Sequence, residues 1–153
     1  VDNVFLYVPL PQDKTMYYCD KDFYRYYIGR GDQSVNEAVM IKRVDQQILV
    51  SKLLLESHDL TKIKKQRKKL YRFMINYASI MVSIAAVLIT LDGTEESIDK
   101  LMDYWKYIKE HFPSVYGHIR YRSLAGFFAY KNPIIRKVTT WGYRIVKKIY
   151  KFN

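Results

Sequence analysis

Few side chains in this sequence of 153 residues are spaced for catalysis or metal binding. The three histidines, His58, His111 and His118, are far apart along the chain, and no cluster of cysteine and histidine surrounds them. Asp20 and Asp22 have the Asp-x-Asp spacing of some metal sites, but their tyrosine-rich surroundings indicate a turn. No phosphate-binding glycine loop, dinucleotide fingerprint or nucleophile elbow is present. The residues therefore predict neither a metal site nor a complete catalytic centre in this chain.

The strongest chemical signal is positive charge, which is concentrated in two segments. The net charge is +11, and the chain has no acidic residue after Glu110. The first basic segment contains no acid, and its members are Lys62, Lys64, Lys65, Arg67, Lys68, Lys69 and Arg72. This asymmetry predicts a polyanionic partner, either nucleic acid, anionic lipid or a phosphate-rich substrate. The alternative is a basic surface that is simply solvated.

The second basic segment predicts an amphipathic helix that begins at Asn132-Pro133 and runs to about Lys151. Its apolar stripe, at three- and four-residue spacing, consists of Ile134, Val138, Trp141, Ile145, Ile149 and Phe152. Such a helix either lies on an anionic membrane surface or packs on a bundle with its basic face in water. In the membrane interpretation, the predicted surface contacts are Lys64, Lys65, Lys68, Lys69, Arg136, Trp141, Arg144, Lys147, Lys148 and Lys151.

Residues 73–91 form an uncharged apolar stretch that is long enough to cross a bilayer. The basic segment before it would satisfy the positive-inside rule. The competing interpretation is a central helix that the other helices bury. We favour the buried helix, because the neighbouring amphipathic helices need a partner for their own apolar faces.

The overall pattern predicts a mainly α fold, a helical bundle of about four to six helices with a short N-terminal β-hairpin. Aromatic enrichment around a polar turn favours the hairpin at residues 15–28. Apolar periodicity then predicts helices over 36–57, 61–91 and 95–112. Ser34 or Asn36 is expected to cap the first helix, Gly93 to end the second and Thr94 to open the third. Shorter helices, broken at Gly117 and Gly126, are expected before the last helix.

Three strings carry a resemblance to a known family, and they are VDNVFLYVPLP, YYCDKDFYRYYIGRGDQSVN and VMIKRVDQQILVSKLL. They resemble the region after the donor site in bacterial family 2 glycosyltransferases, which build cell-wall or exopolysaccharide glycans. The resemblance implies that residues 1–35 end a catalytic domain and that 36–153 form a C-terminal helical domain. It also implies a nucleotide-sugar-binding domain upstream of Val1, without which this chain is inactive.

The same resemblance implies site residues near the N-terminus. Asp2 falls at the acidic position that supplies the catalytic base, which deprotonates the acceptor hydroxyl. Arg25, Arg30, Gln33 and Ser34 fall in the segment that approaches the donor diphosphate, where arginine and backbone N–H groups bind phosphate oxygens. The residue types alone also fit a helix cap at Asp2, a solvent-facing Arg25 and ordinary loop chemistry. The parent enzyme is expected to use Mg or Mn, and this chain is expected to hold no cofactor of its own.

The predicted function is therefore that of an accessory part of a nucleotide-sugar-dependent glycosyltransferase. It would close one side of the donor site and hold the enzyme peripherally at the cytoplasmic face of the membrane. The expected partners are the nucleotide-sugar donor, through the upstream domain, an anionic membrane surface and a second copy of the chain. Two alternatives stay open, a non-enzymatic helical interaction or oligomerisation module and a basic nucleic-acid-binding domain. Nucleic acid is disfavoured, because no helix-turn-helix pattern stands out and the aromatics lie away from the basic residues.

Overall fold

The structure, a computed structural model, describes residues 2–25 and 36–150. These residues form eight α-helices, one 3-10 helix and no strand. The elements are α1 (Asp2–Tyr7), α2 (Glu37–Lys42), α3 (Val44–Glu56), α4 (Leu60–Gln66), α5 (Lys68–Asp92), α6 (Glu95–His111), α7 (Pro113–Arg122), the 3-10 helix (Leu124–Phe128) and α8 (Pro133–Tyr150). The mainly α fold class is confirmed.

Helix α5 is the centre of the bundle, and the other helices from α2 onward and the 3-10 helix all pack against it. Its fully buried side chains are Met74, Ile75, Ala78, Val82, Ala85, Ala86 and Ile89. The hydroxyls of Ser79, Ser83 and Thr90 each donate to the carbonyl oxygen four residues earlier, at 2.7 Å. Because these hydroxyls bond to their own helix, they can be buried without losing a hydrogen bond.

By length and composition, α5 is the one described helix that could cross a membrane. In the fold, 67% of its most apolar window is buried by the rest of the protein. Most of its apolar surface therefore already has protein partners, which favours the interpretation of a central buried helix.

Capping residues mark several helix ends where the sequence predicts them. The side chain of Asn36 accepts from the backbone N–H two residues later at 3.0 Å, and starts α2. Thr94 starts α6 in the same way, accepting from the N–H three residues later at 3.2 Å. Asn132 accepts from the first turn of α8 at 2.9 Å. Gly93 ends α5 with φ of 71°, a left-handed conformation that glycine adopts without strain.

The predicted β-hairpin at residues 15–28 is wrong for the part that the structure describes. Residues 15–25 contain no strand, and 26–28 lie outside the described residues. Aromatic residues favour strands because they pack well on a half-buried sheet surface. Here the side chains of Tyr17 and Phe23 are 93% and 79% exposed, so no such surface supports strand pairing.

Two helices predicted as continuous are interrupted, which helps raise the helix count above the predicted four to six. The helix over 36–57 breaks at Arg43, and that over 61–91 breaks at Arg67. Arg67 has φ −140° and ψ 77°, and its guanidinium donates to two backbone carbonyls of the N-terminal segment. This break lets α4 fold back and pack on α5. Gly117, by contrast, lies inside α7 and does not interrupt it.

Helix α1 belongs to the same hydrophobic core as the helices that follow. Tyr7 is fully buried, and its hydroxyl donates to the carbonyl oxygen of Met74 at 3.3 Å. Burial raises the pKa of the Tyr7 hydroxyl above its ordinary value, so the group stays neutral. The hydroxyl of Tyr77 donates to Oδ1 of Asn3 at 2.7 Å. The N-terminal helix is therefore tied to α5, while the predicted domain boundary after residue 35 falls beside residues outside the described part.

Candidate functional site

Helix α8 lies on the outside of the bundle, against α5 and the 3-10 helix. Its polar anchor is Glu37, the first residue of α2. The Glu37 carboxylate accepts a hydrogen bond from the Tyr143 hydroxyl at 2.8 Å and one from the Lys147 ammonium group at 2.9 Å. Tyr143 and Lys147 are one turn apart on the same face of α8. The two bonds therefore fix which side of α8 faces the bundle.

The side of α8 that meets the bundle is polar, and the apolar side is exposed. The half-buried residues are Arg136, Thr139, Thr140, Gly142, Tyr143 and Lys147. The apolar residues Ile134, Val138, Trp141, Ile145 and Ile149 form what we call the α8 stripe. Trp141 and Ile149 in this stripe are 67% and 68% exposed. This arrangement is the reverse of an ordinary surface helix, which buries its apolar stripe and exposes its polar face.

Positive charge borders the α8 stripe. The helix contains five basic residues and no acidic one. Lys137, Arg144 and Lys148 are exposed, and they lie four residues before, three residues after and seven residues after Trp141, which places them along one edge of the stripe. Lys147 is paired with Glu37, and Arg136 is half-buried on the bundle side. Of the basic residues predicted to contact a membrane, Arg144 and Lys148 are therefore the ones that α8 leaves free beside the stripe, whereas Lys151 lies outside the described residues.

The anchor at Glu37 is an ionised carboxylate. Burial opposes its charge, but hydrogen bonds from Lys147 and Tyr143, with the positive charges of Lys147 and Arg144, lower the pKa of the Glu37 carboxyl below its ordinary value. Burial and the bond to Glu37 raise the pKa of the Tyr143 hydroxyl to about 12. Tyr143 thus stays a neutral donor to a charged acceptor, the stronger class of hydrogen bond.

The first basic segment lies at the junction of α4 and α5. Lys64 and Lys65 are on α4, Lys68 and Lys69 begin α5, and all four are exposed. The ammonium group of Lys64 lies 5.4 Å from the centre of the Tyr71 ring. The structure therefore brings these four predicted membrane contacts together as one exposed basic surface, separate in sequence from α8.

A mainly apolar groove of about 1380 Å³ runs beside the contacts of α8 with the bundle, between α8, α5 and the 3-10 helix. Its floor is the face of α5 that carries Ser79, Ser83 and Ile84, and one wall is the 3-10 helix with Leu124 and Phe127. Val138, Gly142, Tyr143 and Val146 of α8 line the opposite side. The lining is mainly apolar, as in sites that bind hydrophobic ligands.

Polar groups of α7 lie at the rim of the groove. Nε2 of His118 lies 3.3 Å from Oδ1 of Asn76. Burial lowers the pKa of the His118 imidazole, and the positive charges of Arg122 and Lys64 lower it further.

A second, smaller cavity of about 320 Å³ lies where α3, α4, α6 and α7 meet, and its lining includes Glu56, His58, Asp59 and His111. His58 is hydrogen bonded through Nε2 to the carbonyl oxygen of Val8 at 2.8 Å, and Asp59 caps α4. These polar groups thus have structural partners. Within residues 2–25 and 36–150, no group of three or more potential metal ligands comes together.

Two of the predicted site residues fall in the described part of the chain, the catalytic base Asp2 and the diphosphate-binding residue Arg25. Asp2 is exposed in the first turn of α1, where an acidic side chain also suits the helix N-terminus. Arg25 is exposed in a segment without regular secondary structure. Within the described part of the chain, no hydrogen bond or ion pair connects Asp2 with Arg25. Arg30, Gln33 and Ser34 lie outside the described residues.

Sequence reasoning missed Glu37 and Gly142. Glu37 reads as an ordinary first-turn acid of α2, because its partners on α8 are more than 100 residues away along the chain. The sequence signal at Gly142 is its position in the middle of a predicted helix, where glycine is unfavourable. Only the packing of α8 shows that this glycine faces the groove.

Comparison with protein-family models, curated proteins and solved structures found no match to this chain. The resemblance to family 2 glycosyltransferases therefore rests on the three strings quoted above, and it stays a prediction.

Proposed function

We propose that this chain is a helical module that binds an anionic membrane surface through α8. The observation that carries the proposal is the orientation of α8, whose polar side meets the bundle while its apolar stripe faces outward. An amphipathic helix with an exposed stripe and basic residues beside it is the kind of element that lies in a membrane interface. The hydrocarbon side of the interface would receive Trp141 and Ile149, and the headgroups would meet Lys148.

The charge and the apolar surface contribute to the same binding event. Each basic residue near an anionic bilayer adds about 1 kcal/mol, and Lys137, Arg144 and Lys148 are exposed and border the stripe. Full burial of a large apolar side chain contributes about 1.5–3 kcal/mol. The side chains of the stripe are already partly buried, so each gains only part of that free energy on entering the membrane. The exposed lysines of α4 and α5 supply a second basic surface, which strengthens the attraction over a longer range.

The membrane proposal is tested by floating the full chain with vesicles of phosphatidylglycerol or of phosphatidylcholine. We expect binding to the anionic vesicles, little binding to the neutral ones and weakening by salt. Ile149→Asp places a charge in the stripe and should abolish binding. Leu49→Asp is the matched control, because Leu49 is a 56% exposed apolar residue of α3, away from the stripe. Equal binding to both vesicle types, or equal loss in both variants, would overturn the proposal.

The competing occupant of the α8 stripe is a second copy of the chain. Two stripes packed together would also remove their apolar side chains from water. Light scattering on the wild-type chain and on Ile149→Asp separates the two. A dimer that Ile149→Asp dissociates, with no vesicle binding, would identify the stripe as a self-association surface and overturn the membrane proposal.

For the larger biological role, we keep the accessory part of a family 2 glycosyltransferase as the proposal. It is supported by the quoted strings and by the exposure of Asp2 and Arg25, which leaves both free to meet another domain. The donor would be a nucleotide sugar held by the upstream domain with Mg or Mn, and the enzyme would lie at the cytoplasmic face of the membrane. The test is the gene sequence upstream of Val1. A nucleotide-binding α/β domain there supports the proposal, and a start codon there contradicts it.

A further inference from the structure

The groove between α8 and α5 presents apolar surface that no described part of the chain covers. Ile84 and Val87 of α5, Leu124 and Phe127 of the 3-10 helix, and Val146 of α8 all line it. Leu124 and Phe127 are 69% and 63% exposed. Apolar surface of this extent is unfavourable in water and is typical of interaction sites and ligand-binding grooves.

Gly142 keeps the groove open. A Cβ built on this residue meets no atom within 4 Å, so no close contact requires glycine at this position. Its backbone is not in the left-handed region either, since the one described glycine with positive φ is Gly93. A glycine inside a helix lowers helix stability, and here the consequence is an unfilled space in the groove. Across the groove, the hydroxyls of Ser79 and Ser83 bond to their own helix and offer no free donor.

The charge at the groove selects an anionic ligand. The acid among the described lining residues, Glu37, is already neutralised by Lys147 and held by Tyr143. Arg122 is exposed at the rim, and no described acid pairs with it. The Arg122 guanidinium makes this end of the groove positive. An apolar groove with a positive rim fits a hydrocarbon chain that carries an anionic head.

The groove is also continuous with the surface proposed to lie on the bilayer. Val138 belongs both to the α8 stripe and to the groove lining. We propose that the groove receives one acyl chain of an anionic membrane lipid, with the headgroup against Arg122. The proposed membrane association supplies the source of that lipid, whereas the chain-binding chemistry of the groove does not depend on it.

The proposal is tested in solution with a fluorescent dansyl-labelled fatty acid, kept below its micelle-forming concentration and without vesicles. We expect saturable binding by the full wild-type chain. Gly142→Leu fills the groove and should weaken binding by about tenfold or more. Gly117→Leu is the matched control, because Gly117 also lies inside a helix, has nothing within 4 Å of a built Cβ and does not line the groove. Its binding should equal that of wild type, and circular dichroism should show both variants helical.

A competition experiment tests whether the groove prefers an anionic headgroup. Dodecanoate should displace the probe, and dodecyltrimethylammonium at the same concentration should not. Arg122→Gln should weaken binding of the anionic probe several-fold, because the headgroup loses its charged partner.

Three outcomes would overturn the proposal. These are no saturable binding by wild type, equal binding in Gly142→Leu, or equal displacement by the cationic amphiphile. Flotation of wild type and Gly142→Leu with phosphatidylglycerol vesicles separates this proposal from the membrane one. Vesicle binding without probe binding would contradict only the proposed groove ligand. Probe binding without vesicle binding would contradict only the proposed membrane function. A dimer that Gly142→Leu dissociates, with no probe binding, would assign the groove to a second copy instead.

Discussion

The ammonium group of Lys147 lies 2.9 Å from the carboxylate of Glu37, joining the last described helix to the start of α2. The two side chains are about one-third exposed, so the pair is partly shielded from solvent. This contact, with the Tyr143 hydroxyl bonded to the same carboxylate, decides which side of α8 faces outward. These bonds hold the polar side of α8 toward the start of α2 and so leave the α8 stripe facing outward.

Removal of the charge at Glu37 should loosen α8. We expect Glu37→Gln to raise amide hydrogen exchange in residues 133–150, because Lys147 loses its ion pair and Tyr143 its charged acceptor. Glu95→Gln is the matched control, since Glu95 is also a first-turn acid, on α6, and is exposed. Unchanged exchange in α8 of Glu37→Gln would show that the pair does not hold the helix.

The same contact gives a pH dependence with a definite sign. The pKa of Glu37 is lowered in the folded protein, so the carboxylate stabilises the fold above its unfolded pKa. That stability is lost as the pH falls through the lowered, folded pKa. We expect wild type to be more stable than Glu37→Gln in urea at pH 7, with the difference vanishing in acid. A difference that is constant with pH would contradict the assignment of a charged anchor.

The cations beside the stripe should control affinity for anionic lipid. Replacing Lys137, Arg144 and Lys148 together by glutamine should weaken binding to phosphatidylglycerol vesicles by about 2–3 kcal/mol at low salt, at about 1 kcal/mol for each residue. A control variant replaces three exposed lysines outside both basic surfaces, Lys42, Lys106 and Lys109. Equal losses in the two triple variants, measured by co-sedimentation, would mean that only net charge matters and not the position of α8.

Helix α1 should be part of the cooperative fold. Tyr7→Ala removes a fully buried aromatic side chain and should lower the free energy of unfolding by about 3–5 kcal/mol. Phe5→Ala, in the same helix but at a residue that is 77% exposed, should change it by about 0.5 kcal/mol or less. Urea denaturation measures both. A small effect of Tyr7→Ala would show that α1 is not docked in the core.

The parts of the fold that follow from local chemistry were predictable from the sequence. Asn36, Thr94 and Gly93 act at helix ends through backbone groups a few residues away, so their types indicate their roles. The break at Arg67 was not predictable, because its guanidinium bonds to backbone carbonyls more than 50 residues away in sequence. The hairpin failed because aromatic residues favour a strand only where another surface covers them.

In the candidate site, too, only the features that depend on local sequence were predictable. Periodicity predicted the apolar stripe through Trp141 and Ile149, since three- and four-residue spacing is a property of the helix itself. The direction in which the stripe faces depends on Glu37, which no local pattern links to α8. The groove depends on the absence of a side chain at Gly142, and a sequence does not show which neighbour a missing side chain would meet.

Entry of the α8 stripe into the lipid bilayer, as proposed, would bring the Trp141 indole among the acyl chains, where its fluorescence can be measured. The other tryptophan, Trp105, is 6% exposed in the core, with its indole N–H donating to the carbonyl oxygen of Phe128 at 3.3 Å. The decisive measurement is fluorescence quenching by vesicles of phosphatidylglycerol brominated along its acyl chains. We expect strong quenching of wild type and almost none of Trp141→Phe, which keeps the stripe apolar. Absence of quenching in wild type, or equal quenching in Trp141→Phe, would contradict the claim.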